Sequence, residues 1–121
     1  MLRTLLILAL CLSPAFGERL FPIDGPMELH IWLTAKSGEE TALEKTFREV
    51  FYPAVSAREG FRDARLMRKP GTVEYTVRLT FDTEDQRMAW VKSDEHQEAW
   101  PVLSGHCRES KYDGFALIHP K

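Results

Sequence analysis

From Met27 onward the apolar positions switch repeatedly between two-residue and three-to-four-residue spacing, and each switch predicts a change of element. Met27 to Ala35 (MELHIWLTA) alternates, with Leu29, Ile31 and Leu33 on one face and His30, Trp32 and Thr34 on the other, which predicts a strand. Leu43, Phe47, Val50, Phe51 and Val55 recur at helical spacing and predict a helix with one core-facing stripe. Ser37 with Glu40 has the form of a capping box for its start, Pro53 should kink or stop it, and Gly60 after Glu59 fits a left-handed cap. Phe61 to Lys69 predicts a second strand whose Arg62, Asp63, Arg65, Arg68 and Lys69 suit a sheet edge, where charge blocks unwanted pairing. After the Pro70-Gly71 turn, Val73, Tyr75, Val77, Leu79 and Phe81 alternate with Glu74, Thr76, Arg78 and Thr80 in the clearest strand of the chain. Thr83 with Gln86 forms the next capping box, opening a helix through Met88, Ala89, Trp90 and Val91. Ser93-Asp94-Glu95 caps a further helical piece with His96, Trp100 and Leu103, disturbed by Pro101; Ser104-Gly105 ends it, and Tyr112 to His119 predicts the last strand.

The predicted order is βαββαβ. Right-handed crossovers then give an α+β, ferredoxin-like fold: a four-stranded antiparallel sheet with both helices on one face, the first and third strands central and the charged second strand at an edge. Trp32 on the first strand, and either Phe115 with Leu117 or Ala116 with Ile118 on the last, make the other face partly apolar as well. Helices cover only one face, so a second copy of the chain is the simplest cover for the other, and a homodimer is expected.

The first seventeen residues stand apart. Arg3, the apolar run Leu5 to Leu12 and the small-residue stretch Ser13 to Gly17 have the three-part layout of a secretory signal peptide. The run is far shorter than the ~20 residues of a membrane span. The expected organisation is a signal peptide over 1–17, a polar and loose lead-in over 18–26, and one domain over 27–121, exported to the periplasm or beyond. Cleavage would leave 104 of the 121 residues, enough for a single compact domain. It would also move the net charge from −2 to −3, because Arg3 is the only charged residue removed. Neither sign dominates, so no nucleic-acid or anionic-membrane partner is indicated. Cys107 would remain as the sole cysteine, unable to form an internal disulfide and most simply a small buried apolar residue.

The segments Glu59-Gly60-Phe61, Glu74 to Phe81 (EYTVRLTF) and Trp90-Val91-Lys92-Ser93-Asp94-Glu95-His96 with Trp100 resemble the antibiotic biosynthesis monooxygenase (ABM) domain, whose members often carry W-x-x-S-x-x-H. The resemblance covers roughly residues 27–119. It implies a dimeric α+β barrel, two protomers joined sheet to sheet, each with a ligand pocket between its own sheet and helices. Some members oxidise aromatic, polyketide-like substrates with molecular oxygen and neither metal nor flavin; others degrade haem. The quinone-forming members use a Trp preceded one helical turn earlier by an amide, which places Gln86 beside Trp90 on one helix face, with His96 where a polar aromatic residue stands. The haem-degrading branch relies on an Asn, and this chain contains none.

Cofactor-free oxygenation needs a base, a dry aromatic pocket and a substrate that becomes an electron-rich anion. His96 is the candidate base, against a capping or surface role beside Asp94 and Glu95. Trp90 is a candidate pocket wall, against plain core, and Trp100 a candidate substrate contact. Gln86 either orients substrate or serves only its cap with Thr83. Arg78 either neutralises an enolate or pairs across strands, for instance with Asp63 or Glu74. His30, His106 and His119 show no metal-ligand spacing, so no metal is expected and haem is only an alternative cofactor. Two functions follow: an exported, cofactor-independent ABM-type monooxygenase acting on a small aromatic compound, or a non-catalytic barrel that binds a small apolar ligand.

Overall fold

A computed structural model describes residues 19–121; the expected signal peptide, residues 1–17, lies outside the described residues. The elements run β1 (Met27–Ala35), α1 (Glu40–Thr46), a π-helical stretch (Phe47–Phe51), α2 (Tyr52–Ser56), β2 (Phe61–Arg68), β3 (Glu74–Phe81), α3 (Glu84–Lys92), α4 (Asp94–Ser104) and β4 (Cys107–Ala116). The sheet is antiparallel in the order β2-β3-β1-β4, so β1 and β3 are central and the charged β2 is an edge, as the pattern predicts. This is the expected α+β, ferredoxin-like arrangement. None of the described helices is long and apolar enough to cross a membrane.

The two faces of β1 separate cleanly. Leu29, Ile31 and Leu33 are buried with Leu43, Phe51, Val55, Trp90 and Leu103 in a single core between sheet and helices. His30, Trp32 and Thr34 face the other way. Trp32 and Phe115 remain 38% and 41% exposed there, with His30 packed between them at ring-centroid distances of 5.9 and 4.6 Å. Arg78 lies on this same outer face, opposite His30 in register. Its partner is Glu28, 3.0 Å from Nη2, not Asp63 or Glu74. Burial acts to raise the Glu28 carboxyl, but hydrogen bonds from His30, Arg78 and Thr80 outweigh it and hold the group below the ordinary carboxylate range.

Local chemistry explains where the elements depart from expectation. The first helix does not start on a Ser37 capping box: Glu39 occupies the N-cap without a side-chain bond. Pro53 does not stop that helix; the turn before it widens into the π-helical stretch. A wider turn relieves the clash between the proline ring and the carbonyl of the preceding turn, and it stacks Phe47 on Phe51 at 5.6 Å. The last strand begins at Cys107, five residues before the predicted Tyr112, because its exposed first half (Arg108 to Lys111) carries no alternating apolar signal. Gly105 ends α4 with φ −64°, a right-handed cap rather than a left-handed one. Cys107 is half-buried, and burial pushes its thiol above the ordinary value.

The lead-in is not loose. Residues 19–26 form a strap across the end of the sheet. Backbone N–H groups of Leu20 and Phe21 each donate to Glu84 Oε2 at 3.1 Å, Arg19 pairs with Asp85 at 3.0 Å, and Phe21 meets Tyr112 edge-on at 6.5 Å. Gly114 makes room for the strap: a Cβ there would lie 2.5 Å from the Phe21 ring.

Candidate functional site

α3 carries the chemistry. Thr83 caps it as expected, its Oγ1 accepting from the Gln86 N–H at 3.1 Å. Three residues apart along one face then come Glu84, Arg87 and Trp90, at 0%, 3% and 1% exposure. Residues at that spacing share a helix face, so the face that holds Trp90 against the sheet must also bury an ion pair. Arg87 Nε donates to Glu84 Oε1 at 2.7 Å and Nη2 to Oε2 at 2.8 Å, a two-pronged geometry. The buried face is thus half charged, and α3 has little amphipathic contrast for its pattern to display.

Ser93 breaks the helix and restarts it. Its Oγ donates to Trp90 O at 2.6 Å and accepts from the His96 N–H at 3.1 Å, which aims the first turn of α4 back over Trp90. The His96 ring stands edge-on to Trp90 at 5.0 Å and nearly parallel to Trp100 at 6.4 Å. Beneath them lies a cavity of about 220 Å³ between sheet and helices, walled by these three rings together with Phe51, Leu79 and Arg87. Leu20 of the strap also borders it.

Burial, reinforced by the positive charge of Arg87, holds the His96 imidazole below its ordinary pKa, so it is neutral at pH 7. Its only hydrogen-bond contact among the described residues is Gln97 Nε2, 3.5 Å from Nδ1 and marginal. A neutral imidazole with an uncommitted nitrogen beside an aromatic cavity is able to accept a proton from a bound molecule.

Of the five residues proposed from sequence, Trp90, His96 and Trp100 come together here. Gln86 does not join them. Its amide accepts from the Thr83 hydroxyl at 3.1 Å and fills the space beside Gly60, where φ is +85° and an added Cβ would meet it at 2.1 Å. Arg78 is on the opposite side of the sheet. Among the described residues the cavity's cation is Arg87, which was not among the residues singled out from sequence. The signal was available in the three-residue interval to Trp90. Of the other three histidines, His30 is tied to Glu28 at 2.9 Å and His106 to Glu39 and Thr46 at 3.0 and 2.9 Å. Among the described residues no three His, Cys, Asp or Glu side chains converge as metal ligands do.

No curated protein matches the chain significantly in sequence. Solved structures do resemble it. SnoaB from Streptomyces nogalater, a cofactor-independent oxygenase, superposes with a TM-score of 0.71 at 14% identity, over 81% of this chain and 100% of SnoaB. A conserved protein from Methanosarcina mazei Go1 aligns with a TM-score of 0.69 at 14% identity, over 84% of this chain and 96% of its own. Rv0793 from Mycobacterium tuberculosis gives 0.66 at 13% identity, over 77% and 95%. At such identities the likeness establishes the fold alone. The sequence model for antibiotic biosynthesis monooxygenases matches residues 26–101, from the entry to β1 through most of α4 and including every wall of the cavity named above except Leu20. The chain therefore belongs to the antibiotic biosynthesis monooxygenase (ABM) family.

Proposed function

We propose that this protein is a cofactor-independent monooxygenase acting on a small aromatic substrate. The observation that carries this is His96, neutral and half-buried, set between two indoles over a cavity of ring size. His96 would take a proton from an activated C–H of the substrate, and the electron-rich anion would react with molecular oxygen. The peroxide formed on that carbon takes the proton back from His96 and loses water. For an anthrone the balance is one CH₂ and one O₂ giving one C=O and one H₂O, with the substrate supplying all the electrons. SnoaB, of the same fold, is an oxygenase of this cofactor-independent kind. At about 220 Å³ the cavity falls below the ~300–1,000 Å³ usual for larger ligands. It suits two or three fused rings and is too small for a haem.

The expected result is oxygen uptake, measured with an oxygen electrode, when the purified chain meets anthrone in the presence of a metal chelator. Saturable binding of anthrone with no uptake above the uncatalysed rate would instead make the protein a non-catalytic carrier.

The same proposal includes a homodimer and export by residues 1–17. Trp32 and Phe115 lie on a sheet face that the chain's own helices leave open, and charged side chains of both signs, among them Lys69, Glu74, Lys111 and Asp113, line the groove beside Trp32. The dimer would bury this face against its copy. Native mass spectrometry should give a dimer for the wild-type chain and a monomer for Trp32→Glu/Phe115→Glu. A wild-type monomer would remove the sheet-to-sheet arrangement.

A further inference from the structure

Resting on the reading of the cavity as a ligand site, we propose that its ligand carries an oxyanion on the ring system (a carboxylate, phenolate or enolate oxygen) and that Arg87 receives it. Arg87 is 3% exposed and lines the cavity, where it is the only Lys or Arg among the described residues. Two of its nitrogens are engaged: Nε and Nη2 with Glu84, and Nη2 also with Met88 Sδ at 3.4 Å. Among the described residues, Nη1 has no protein acceptor. Buried donors in folded proteins are nearly always paired, and a guanidinium cannot shed its charge to escape the cost. The guanidinium lies with its Cζ 5.4 Å from the Phe21 ring centroid, a contact that does not consume an N–H, so Nη1 has two charged N–H donors to offer a cavity ligand.

Glu84 does not cancel that charge on the cavity side. Its carboxylate is shared among Arg87 and the N–H groups of Leu20 and Phe21, and it sits in the first turn of α3, where the helix dipole favours negative charge. The positive charge of Arg87 is felt at His96, where it adds to burial in lowering the imidazole pKa. A ligand oxyanion at Nη1 would make a charge-assisted hydrogen bond in a dry setting, roughly twice as strong as a neutral one. It would also face His96, so the anion left by proton removal meets the guanidinium. Glu84, itself fixed by the strap, acts as a positioning group: it holds Nε and Nη2 and leaves Nη1.

The test is isothermal titration with 2-naphthoate and 2-naphthamide, probes of the same shape that differ in charge. Wild-type protein should bind the acid about tenfold or more tightly than the amide, the scale of one charge-assisted contact. Glu84→Gln/Arg87→Gln removes both buried charges together, so neither is stranded; it should lose the preference and still bind the amide. Arg87→Lys should keep the preference in reduced form. Equal binding of acid and amide by wild type, or an undiminished preference in the double variant, would overturn the role of Arg87 and leave the cavity a ligand site. Binding of neither probe would overturn both.

Discussion

Glu84→Ala should destabilise the protein by about 3–5 kcal/mol, the cost of stranding a buried charge. Three losses coincide at one carboxylate. Arg87 would keep its full charge at 3% exposure with no counter-ion. The N–H groups of Leu20 and Phe21 would lose the acceptor that pins the strap. α3 would lose a negative charge from its first turn, a smaller effect of about 0.3–1 kcal/mol. The ordering of variants matters more than any single value. Glu84→Gln keeps an acceptor and should fall between wild type and Ala. Glu84→Leu/Arg87→Met should cost much less than Glu84→Ala, because replacing both members of a buried pair by apolar groups of similar size is often neutral or favourable. Urea unfolding followed by tryptophan fluorescence measures each variant. A loss below about 1 kcal/mol for Glu84→Ala would mean that water reaches Arg87 and that the pair is an ordinary surface one.

This pair also marks where the sequence stops being legible. The strands of the sheet centre could be read because β1 and β3 obey strict alternation with one face buried, a pattern that a one-residue slip would destroy. Thr83 and Ser93 could be read because a cap is a local bond between residues three apart. Trp90, His96 and Trp100 were legible together because the break at Ser93 folds two short helices over one another. Arg87 was not, since a Glu-x-x-Arg interval reads as a solvent-exposed pair unless the burial of Trp90 on the same face is carried back along the helix. For Gln86 the spacing to Trp90 left two readings open, and the local one holds: its amide stays with Thr83 as a capping-box partner and fills the space beside Gly60, far away in sequence. The strap was missed because what orders it is a carboxylate more than sixty residues away. Its composition alone is that of a linker. β4 was displaced because an edge strand with an exposed start needs no periodicity to pair, only the free backbone groups of β1.

His96→Gln should lower turnover by about 10²–10⁴-fold, the range for removing a general base, with anthrone binding retained. Glutamine keeps a hydrogen-bonding side chain of similar reach but cannot take up a proton. The pH profile separates this from a structural effect. Burial and Arg87 hold the His96 pKa below its ordinary value, so the wild-type imidazole gives up its proton at lower pH than a free one and the acid limb of kcat/KM should be displaced downward accordingly. An unperturbed histidine would put the limb at about 6.5. The same shift has a consequence for stability. Because the folded-state pKa is the lower one, the unfolded chain binds the proton more readily. The stabilising contribution is then complete above the unfolded pKa of about 6.5 and is lost as pH falls from there through the folded value. In His96→Gln that portion of the acid dependence should vanish, along with the acid limb of whatever activity remains. A variant that keeps wild-type turnover and the same acid limb would assign the base elsewhere, and His96 would be left as a wall of the cavity.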